Sequence, residues 1–268
     1  MKKTIRPTTA LLIIDAQHDF CHPEGALYVA GADGDVKRIK RLIENNLTSI
    51  DHITVTLDTH HILDVSHPMF WRDDAGNPPA PFTQITHQEI LNGKWMPIIE
   101  PEKVTTYVQA LENQGQFPHF IWPEHCLIGS KGAGLDDHVM NALRTWTHYT
   151  QRDYDVAVKG TNRLTEHFGI FRANIPIDDA PETQFNQALV QLLMQYDQVL
   201  LMGEAKSHCV GTSLKQAMDF APELAQKMIV VEDCMSDVAG LVFLGEPIYA
   251  EAKQRGIRFV KAEEITWG

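Results

Sequence analysis

Short apolar runs alternate with stretches of helical spacing along most of this chain. Thr9–Ile14 (TALLII) is an unbroken apolar run that stops at Asp15, the pattern of a strand buried on both faces. Over residues 34–50, Val36, Ile39, Ile43, Leu47 and Ile50 recur at the spacing of one helix face, so the strand gives way to an amphipathic helix. Residues 53–57 (ITVTL), 155–158 (DVAV), 198–202 (QVLLM), Met228–Val231 and 257–260 read as further strands. Residues 102–114, 135–149, 183–196 and 241–255 read as helices, and 117–122 as a short extended piece. Strands that alternate with helices in this way imply crossover connections, hence an α/β fold with a parallel sheet covered on both faces.

The pattern lapses between residues 60 and 101, where Pro68, Pro78, Pro79, Pro81, Pro97 and Pro101 interrupt any long helix. An excursion of this length is expected to be a lid or binding loop. The safer expectation for Phe70, Trp71 and Trp95 is that they pack down on the surface. No repeat, low-complexity tract or linker divides the sequence, so residues 1–268 are expected to form one domain with a long insertion at about 71–101.

Composition changes the picture mainly by exclusion. The 268 residues, 44% hydrophobic and 22% charged, suffice for a full core of an ordinary globular protein. A formal net charge of −12 with no offsetting basic cluster argues against nucleic acid as a partner. Four cysteines, at 21, 126, 209 and 234, are far apart with no CxxC pair, which points away from a disulfide scaffold or zinc ribbon and toward a reducing cytoplasm. The basic start at residues 1–7 precedes an apolar run too short for a signal segment or membrane span, so no membrane association is expected.

The candidate chemistry lies at the strand ends. Asp15, Asp58, Lys159 and Cys209 each follow a predicted strand, and ligands of open α/β sheets bind beyond that edge. Any one of them alone reads as a solvated cap, but together they suggest a site. Cys209 lies in the turn 203–211 (GEAKSHCVG), where a helix is expected to start; there the helix dipole and unpaired N–H groups favour a thiolate. The alternative is a small buried packing residue. Asp58 and His60 stand two apart on extended chain and project to one side, so they could share a divalent metal with a third ligand from His61, His67 or His125. In a chain with 13 histidines, such a pair could also be chance. Cys126 is expected to pack rather than ligate, and nothing assigns a role to His18 or His22.

The strings IIDAQHDFCHPEGAL (13–27), TLDTHH (56–61), WPEHCLIGSKGAGL (122–135), VKG (158–160) and GEAKSHCVGTSL (203–214) together resemble the nicotinamidase branch of the isochorismatase-like cysteine hydrolases. The resemblance implies a three-layer fold with a six-stranded, mostly parallel sheet and an Asp15/Lys159/Cys209 triad. It also implies metal ligands at Asp58, His60 and His125, with His67 a fourth that some members use. Phe20 and Trp122 match aromatic positions that sandwich a flat ring, and the backbone N–H groups of Ala205 and Cys209 match the oxyanion donors. A cis peptide is expected between Glu204 and Ala205. The implied activity is hydrolysis of nicotinamide to nicotinate and ammonia through a thioester, with one divalent metal, zinc before iron or manganese, and with self-association. Glu204 stands where members commonly carry a small aliphatic residue. That departure and the insertion favour a second reading, a hydrolase of another small amide, ureido or N-carbamoyl compound. A third is a non-catalytic metal- or metabolite-binding protein, which the intact triad opposes.

Overall fold

A computed structural model describes residues 6–267; the first five residues, which hold most of the basic start, lie outside it. Its main sheet contains β1 (Thr9–Ile14), β2 (His52–Asp58), β3 (Asp155–Lys159), β4 (Gln198–Gly203), β5 (Met228–Val231) and β6 (Arg258–Val260). The spatial order is β6-β5-β4-β1-β2-β3, and every pairing is parallel. The chain lays down β1, β2 and β3 toward one edge, then returns to add β4, β5 and β6 on the other side of β1. The switch in direction therefore falls between β1 and β4.

Alternation along β1 divides the core. Ala10, Leu12 and Ile14 pack with Val199 and Leu201 under α4 (Gly211–Phe220), α5 (Val242–Gln254) and the helix Gln187–Leu193. Leu11 and Ile13 pack with Leu200 and Met202 under α1 (Ala32–Asn45) and α3 (Asp137–Thr150). Both faces of the central strands are thus apolar and covered, the burial that their unbroken apolar sequences require. Helix α3 begins two residues later than its spacing suggests because Asp136 caps it, accepting a hydrogen bond from the His138 N–H at 2.8 Å.

The excursion after β2 is more ordered than a loop. Trp71–Arg72 pairs antiparallel with Met96–Pro97, and Gln84–Ile85 with His119–Phe120, which places the extended piece at 117–122 outside the main sheet. A capping box between Thr86 and Glu89 starts the helix His87–Leu91. Phe70 and Trp71 are fully buried in a third cluster with Val104, Val108 and Leu111 of α2 (Pro101–Gln114). Trp95 packs partly buried against the same cluster, so Phe70, Trp71 and Trp95 pack down, as expected, while Phe82 is exposed. Among the described residues, no helix is long and apolar enough to cross a membrane.

Candidate active site

The carboxyl ends of β1 and β4 approach each other closely. Gly203 has a φ of 113°, and a Cβ there would lie 2.0 Å from the Ile14 carbonyl oxygen, so only glycine fits. The next residue on β1, Asp15, is held at a φ of 41°, uncommon for a residue with a side chain. Its N–H donates to Thr56 Oγ1 at 2.9 Å, and the Thr56 hydroxyl donates back to Asp15 Oδ1. The strained turn and this double contact orient the carboxylate inward.

Lys159, at the end of β3, is buried among acids. Its Nζ lies 2.9 Å from Asp15 Oδ2, 2.9 Å from Asp58 Oδ1 and 3.7 Å from Cys209 Sγ. Burial works against the ammonium, but Asp15 and Asp58 outweigh it and hold the Lys159 pKa well above its usual value. Burial raises the pKa of Asp15, with Lys159 the main opposing influence. Asp15 Oδ2 faces the ammonium as an ion pair and has no hydrogen-bond donor of its own.

The nucleophile turn departs from the expected helix start. Residues Lys206–Val210 form a π-helical turn, and α4 begins only at Gly211. The N–H groups of His208 and Val210 both donate to the Ala205 carbonyl, at 3.0 and 3.1 Å. The Gly211 N–H returns to the Lys206 carbonyl, an approach that leaves only 2.9 Å for a Cβ at Gly211. Cys209 thus sits inside a closed turn, 6% exposed, rather than at an open helix end. Burial raises its pKa well above the usual thiol value, and Lys159 only partly offsets this. Removal from water thus works against the thiolate that an open helix start was expected to favour, with the nearby ammonium pulling the other way. The Glu204–Ala205 peptide is cis, and the Ala205 N–H has no acceptor among the described residues.

Asp58, His60 and His125 come together with one potential ligand atom each, all within 4.8 Å of one another. Asp58 Oδ2 lies 2.9 Å from His60 Nε2 and 3.7 Å from His125 Nε2. The other nitrogens are committed: His60 Nδ1 to Asp64 Oδ2 at 3.1 Å, His125 Nδ1 to the Pro123 carbonyl at 2.8 Å and His67 Nδ1 to the His61 carbonyl at 3.1 Å. With N–H at Nδ1 of His60 and of His125, their two Nε2 atoms are left to join Asp58 Oδ2 around a cation, the arrangement in which outer acceptors fix metal-binding tautomers. Burial works against a charged His60, yet Asp58 and Asp64 hold its pKa well above normal, and the same negative field favours a divalent ion. The donor set therefore fits a divalent metal. Burial beside His125 and His60 lowers His67 to about 3 and keeps it neutral, but it stands outside the closest trio, with Nε2 3.4 Å from His125 Nδ1. His61 is exposed on the surface.

Phe20 and Trp122 line one pocket together with Asp58, His125, Ala205 and Cys209. Cys126 is buried, its N–H donating to Asp19 Oδ2 at 2.7 Å, and His18 and His22 stack on each other. Glu204 does not line the pocket: Oε2 accepts from the Ser236 N–H at 3.1 Å, and burial holds its pKa well above normal. Three polar contributors escaped the sequence reading. Asp64 orients His60 from four residues on. Glu166 and His208 line the pocket, Glu166 Oε1 accepting from Trp122 Nε1 at 3.0 Å. The one available signal was the position of His208 immediately before the candidate nucleophile.

No family model matches the chain. It is 24% identical over 233 residues to a nicotinamidase of Escherichia coli strain K12, covering 85% of this chain and 82% of that one. Its fold matches a nicotinamidase/pyrazinamidase of Acinetobacter baumanii at a TM-score of 0.66 and 19% identity, covering 97% of this chain and 99% of the other. It also matches the pyrazinamidase of Pyrococcus horikoshii solved in complex with zinc, at a TM-score of 0.56 and 18% identity over 95% and 99% of the two chains. The likeness thus covers 85% of the chain in sequence and 97% in fold, and the six-stranded parallel sheet expected from the resemblance is present.

Proposed function

We propose that this chain is an amidohydrolase converting nicotinamide to nicotinate and ammonia, with Asp15, Lys159 and Cys209 as its reacting groups. The observation that carries the reading is the buried Lys159 ammonium, 2.9 Å from Asp15 and 3.7 Å from Cys209, with Cys209 lining an aromatic pocket. Likeness to nicotinamidases over most of the chain supports the choice of substrate.

The proton moves follow from Asp15 and Cys209 sharing the Lys159 ammonium. Asp15 Oδ2 takes the Cys209 proton as Sγ attacks the carboxamide carbon, so the thiolate exists only as the C–S bond forms. Lys159 holds the carboxylate in place and offsets the negative charge shared among Asp15, Asp58 and sulfur. The free N–H of Ala205, with that of Cys209, receives the carbonyl oxygen as it becomes an oxyanion. Asp15 then returns the proton to nitrogen, the C–N bond breaks and ammonia leaves. Water that gives a proton to Asp15 attacks the thioester, the C–S bond breaks, and the proton returns to sulfur.

Asp58, His60 and His125 would hold the metal, which we propose is zinc, as imidazole and carboxylate donors suit it and as in the Pyrococcus horikoshii protein. When bound, the ion supplies a Lewis-acid anchor for the pyridine nitrogen. Phe20 and Trp122 would then flank the ring. Four buried free cysteines fit a reducing compartment such as the cytoplasm.

Ammonia release from nicotinamide by the metal-loaded protein, beside a Cys209→Ala control, tests the reading. Turnover abolished in the control supports it. Turnover of ureido or N-carbamoyl compounds in place of nicotinamide would move the substrate to the second class with the same triad.

A further inference from the structure

Ser236 brackets Ala205 from both sides. Its N–H donates to Glu204 Oε2 at 3.1 Å, and its carbonyl accepts the Lys206 N–H at 2.8 Å. Ala205, whose N–H has no acceptor among the described residues, lies between those two anchors, and that N–H shares one rigid peptide plane with the Glu204 carbonyl. The seam continues at Val238, whose N–H donates to Ser207 Oγ at 3.0 Å. What fixes the Glu204 side chain therefore helps to aim the Ala205 N–H.

Glu204 meets a second buried acid. Asp35 on α1 places Oδ1 on the Arg38 guanidinium and accepts the Ser236 hydroxyl at Oδ2, which ties the same serine to both carboxyl groups. Glu204 Oε1 is buried and no donor reaches it. The nearby cations are committed elsewhere: Arg38 to Asp35, and Lys206 Nζ to Asp237 at 3.5 Å, while Asp237 adds a further negative group. Burial keeps the other titratable groups around Glu204, the Cys21 and Cys234 thiols and the Tyr249 hydroxyl of α5, in their neutral forms. A buried carboxylate oxygen with neither donor nor cation, facing another carboxylate, is costly, and one proton between the two acids removes that cost. Burial and Asp35 accordingly raise the Glu204 pKa well above normal.

Resting on the amidase reading, we propose that Glu204 is a positioning residue: as a neutral acid it donates from Oε1 to Asp35, accepts at Oε2 from Ser236, and so holds the Ala205 N–H toward the developing oxyanion. Glu204 touches neither the substrate nor the reacting atoms. Loss of its proton would set two carboxylates against each other and loosen the seam behind the oxyanion donor, so the active form is the protonated one.

The experiment compares metal-loaded wild type with Glu204→Leu and Glu204→Gln. Leucine fills the space without either hydrogen bond, whereas the glutamine amide can make both and cannot ionise. Glu204→Leu should lower kcat for nicotinamide about 10- to 100-fold, the scale of a misaimed oxyanion donor, with affinity for nicotinate nearly unchanged. Pyridine-3-carbaldehyde adds the Cys209 S–H across its C=O and sets the resulting oxygen at the oxyanion donors, so its affinity should fall with kcat. Glu204→Gln should recover most of both losses. At neutral pH the carboxylic-acid C=O band of the wild type in the infrared should lose one component in Glu204→Gln. Should the Leu variant fail to fold, the alkaline rate profile decides: wild-type kcat should decline with rising pH while Glu204→Gln declines less. A Gln variant as slow as the Leu variant overturns this inference and leaves the amidase reading standing. So does a Leu variant with wild-type kcat, an equal loss of affinity for nicotinate and the aldehyde, an unchanged infrared band, or parallel rate profiles. A folded, metal-loaded wild type that releases no ammonia from nicotinamide overturns both.

Discussion

Lys159 and Asp58 form a buried ion pair of 2.9 Å that joins the reacting groups to the metal donors. Asp58 Oδ1 takes the ammonium while Oδ2 faces the two imidazoles, so one carboxylate serves both halves of the site. Asp58→Asn should therefore lose metal and rate together. We expect metal content by elemental analysis to fall well below one per chain and kcat/KM for nicotinamide to drop about 100-fold or more. Full metal occupancy with an unchanged rate would separate the two halves and contradict the linkage.

Removing the ammonium should cost stability as well as activity. Lys159→Met leaves Asp15 and Asp58 buried without their cation, and breaking a buried pair in this way costs about 3–5 kcal/mol. Urea unfolding of the variant beside wild type, each metal-loaded, measures the loss. A change within experimental error would mean that the acids find other compensation.

The two outer imidazoles of the donor set should differ in weight. His125 belongs to the close trio and His67 does not. His125→Ala is expected to abolish stoichiometric metal binding, whereas His67→Ala should weaken affinity by about 10- to 100-fold, the scale of an outer partner. Competition with a metal-sensitive dye reads both. Equal losses would promote His67 to a full ligand.

Glu166 should give a stability term with an inverted pH sense. Burial raises its carboxyl to about 8 in the folded protein, against 4.5 for the ordinary group. Between those values the folded state holds a proton that the unfolded state has lost, so stability falls as pH rises through the window. The slope from one group is at most about 1.4 kcal/mol per pH unit. Glu166→Gln keeps an acceptor for Trp122 and cannot titrate. Its Tm should therefore decline less than that of wild type between pH 5 and pH 8, and parallel curves would refute the assignment.

The acid limb of activity should lie above the ordinary carboxylate range. Asp15 must be ionised to take the thiol proton, and burial raises its pKa against the pull of Lys159. Loss of kcat/KM is expected as pH falls through that raised value, so the midpoint should stand above about pH 4. A rate that is flat down to pH 4 would show that Asp15 is not the acceptor.

The central strands were readable because Thr9–Ile14 and its neighbours are buried on both faces and leave unbroken apolar runs. The edge strand β3 was readable by its valines alone, although Val156 and Val158 turn out to be half exposed. Lys159 and Asp15 could be picked out because each stands at the end of a strand, and Cys209 because it lies in the turn that follows one. The state of Cys209 could not, because the sequence shows the ammonium and the turn but not how completely the thiol is withdrawn from water. The π-helical turn depends on contacts to Gly211 and Ala205 that local propensity does not encode. Glu166 and His208 have no motif; only their arrival in the same pocket gives them meaning.

Lys159 is carried by the last strand of the sheet, since β3 is hydrogen-bonded to β2 on one side and to no other strand among the described residues. Most of that strand lies at the surface, and only Lys159 at its end is fully buried. Edge strands open by local fluctuation more readily than the interior of a sheet. Peeling of this one ribbon would withdraw the ammonium from Asp15 and Cys209 while β1, β4 and β5 stayed assembled. Function should then fade at denaturant concentrations where the bulk of the protein is still folded, and the amide protons of residues 155–159 should exchange ahead of those in the centre. The enzyme's working limit would be set by the hold of its outermost strand, not by the strength of its core.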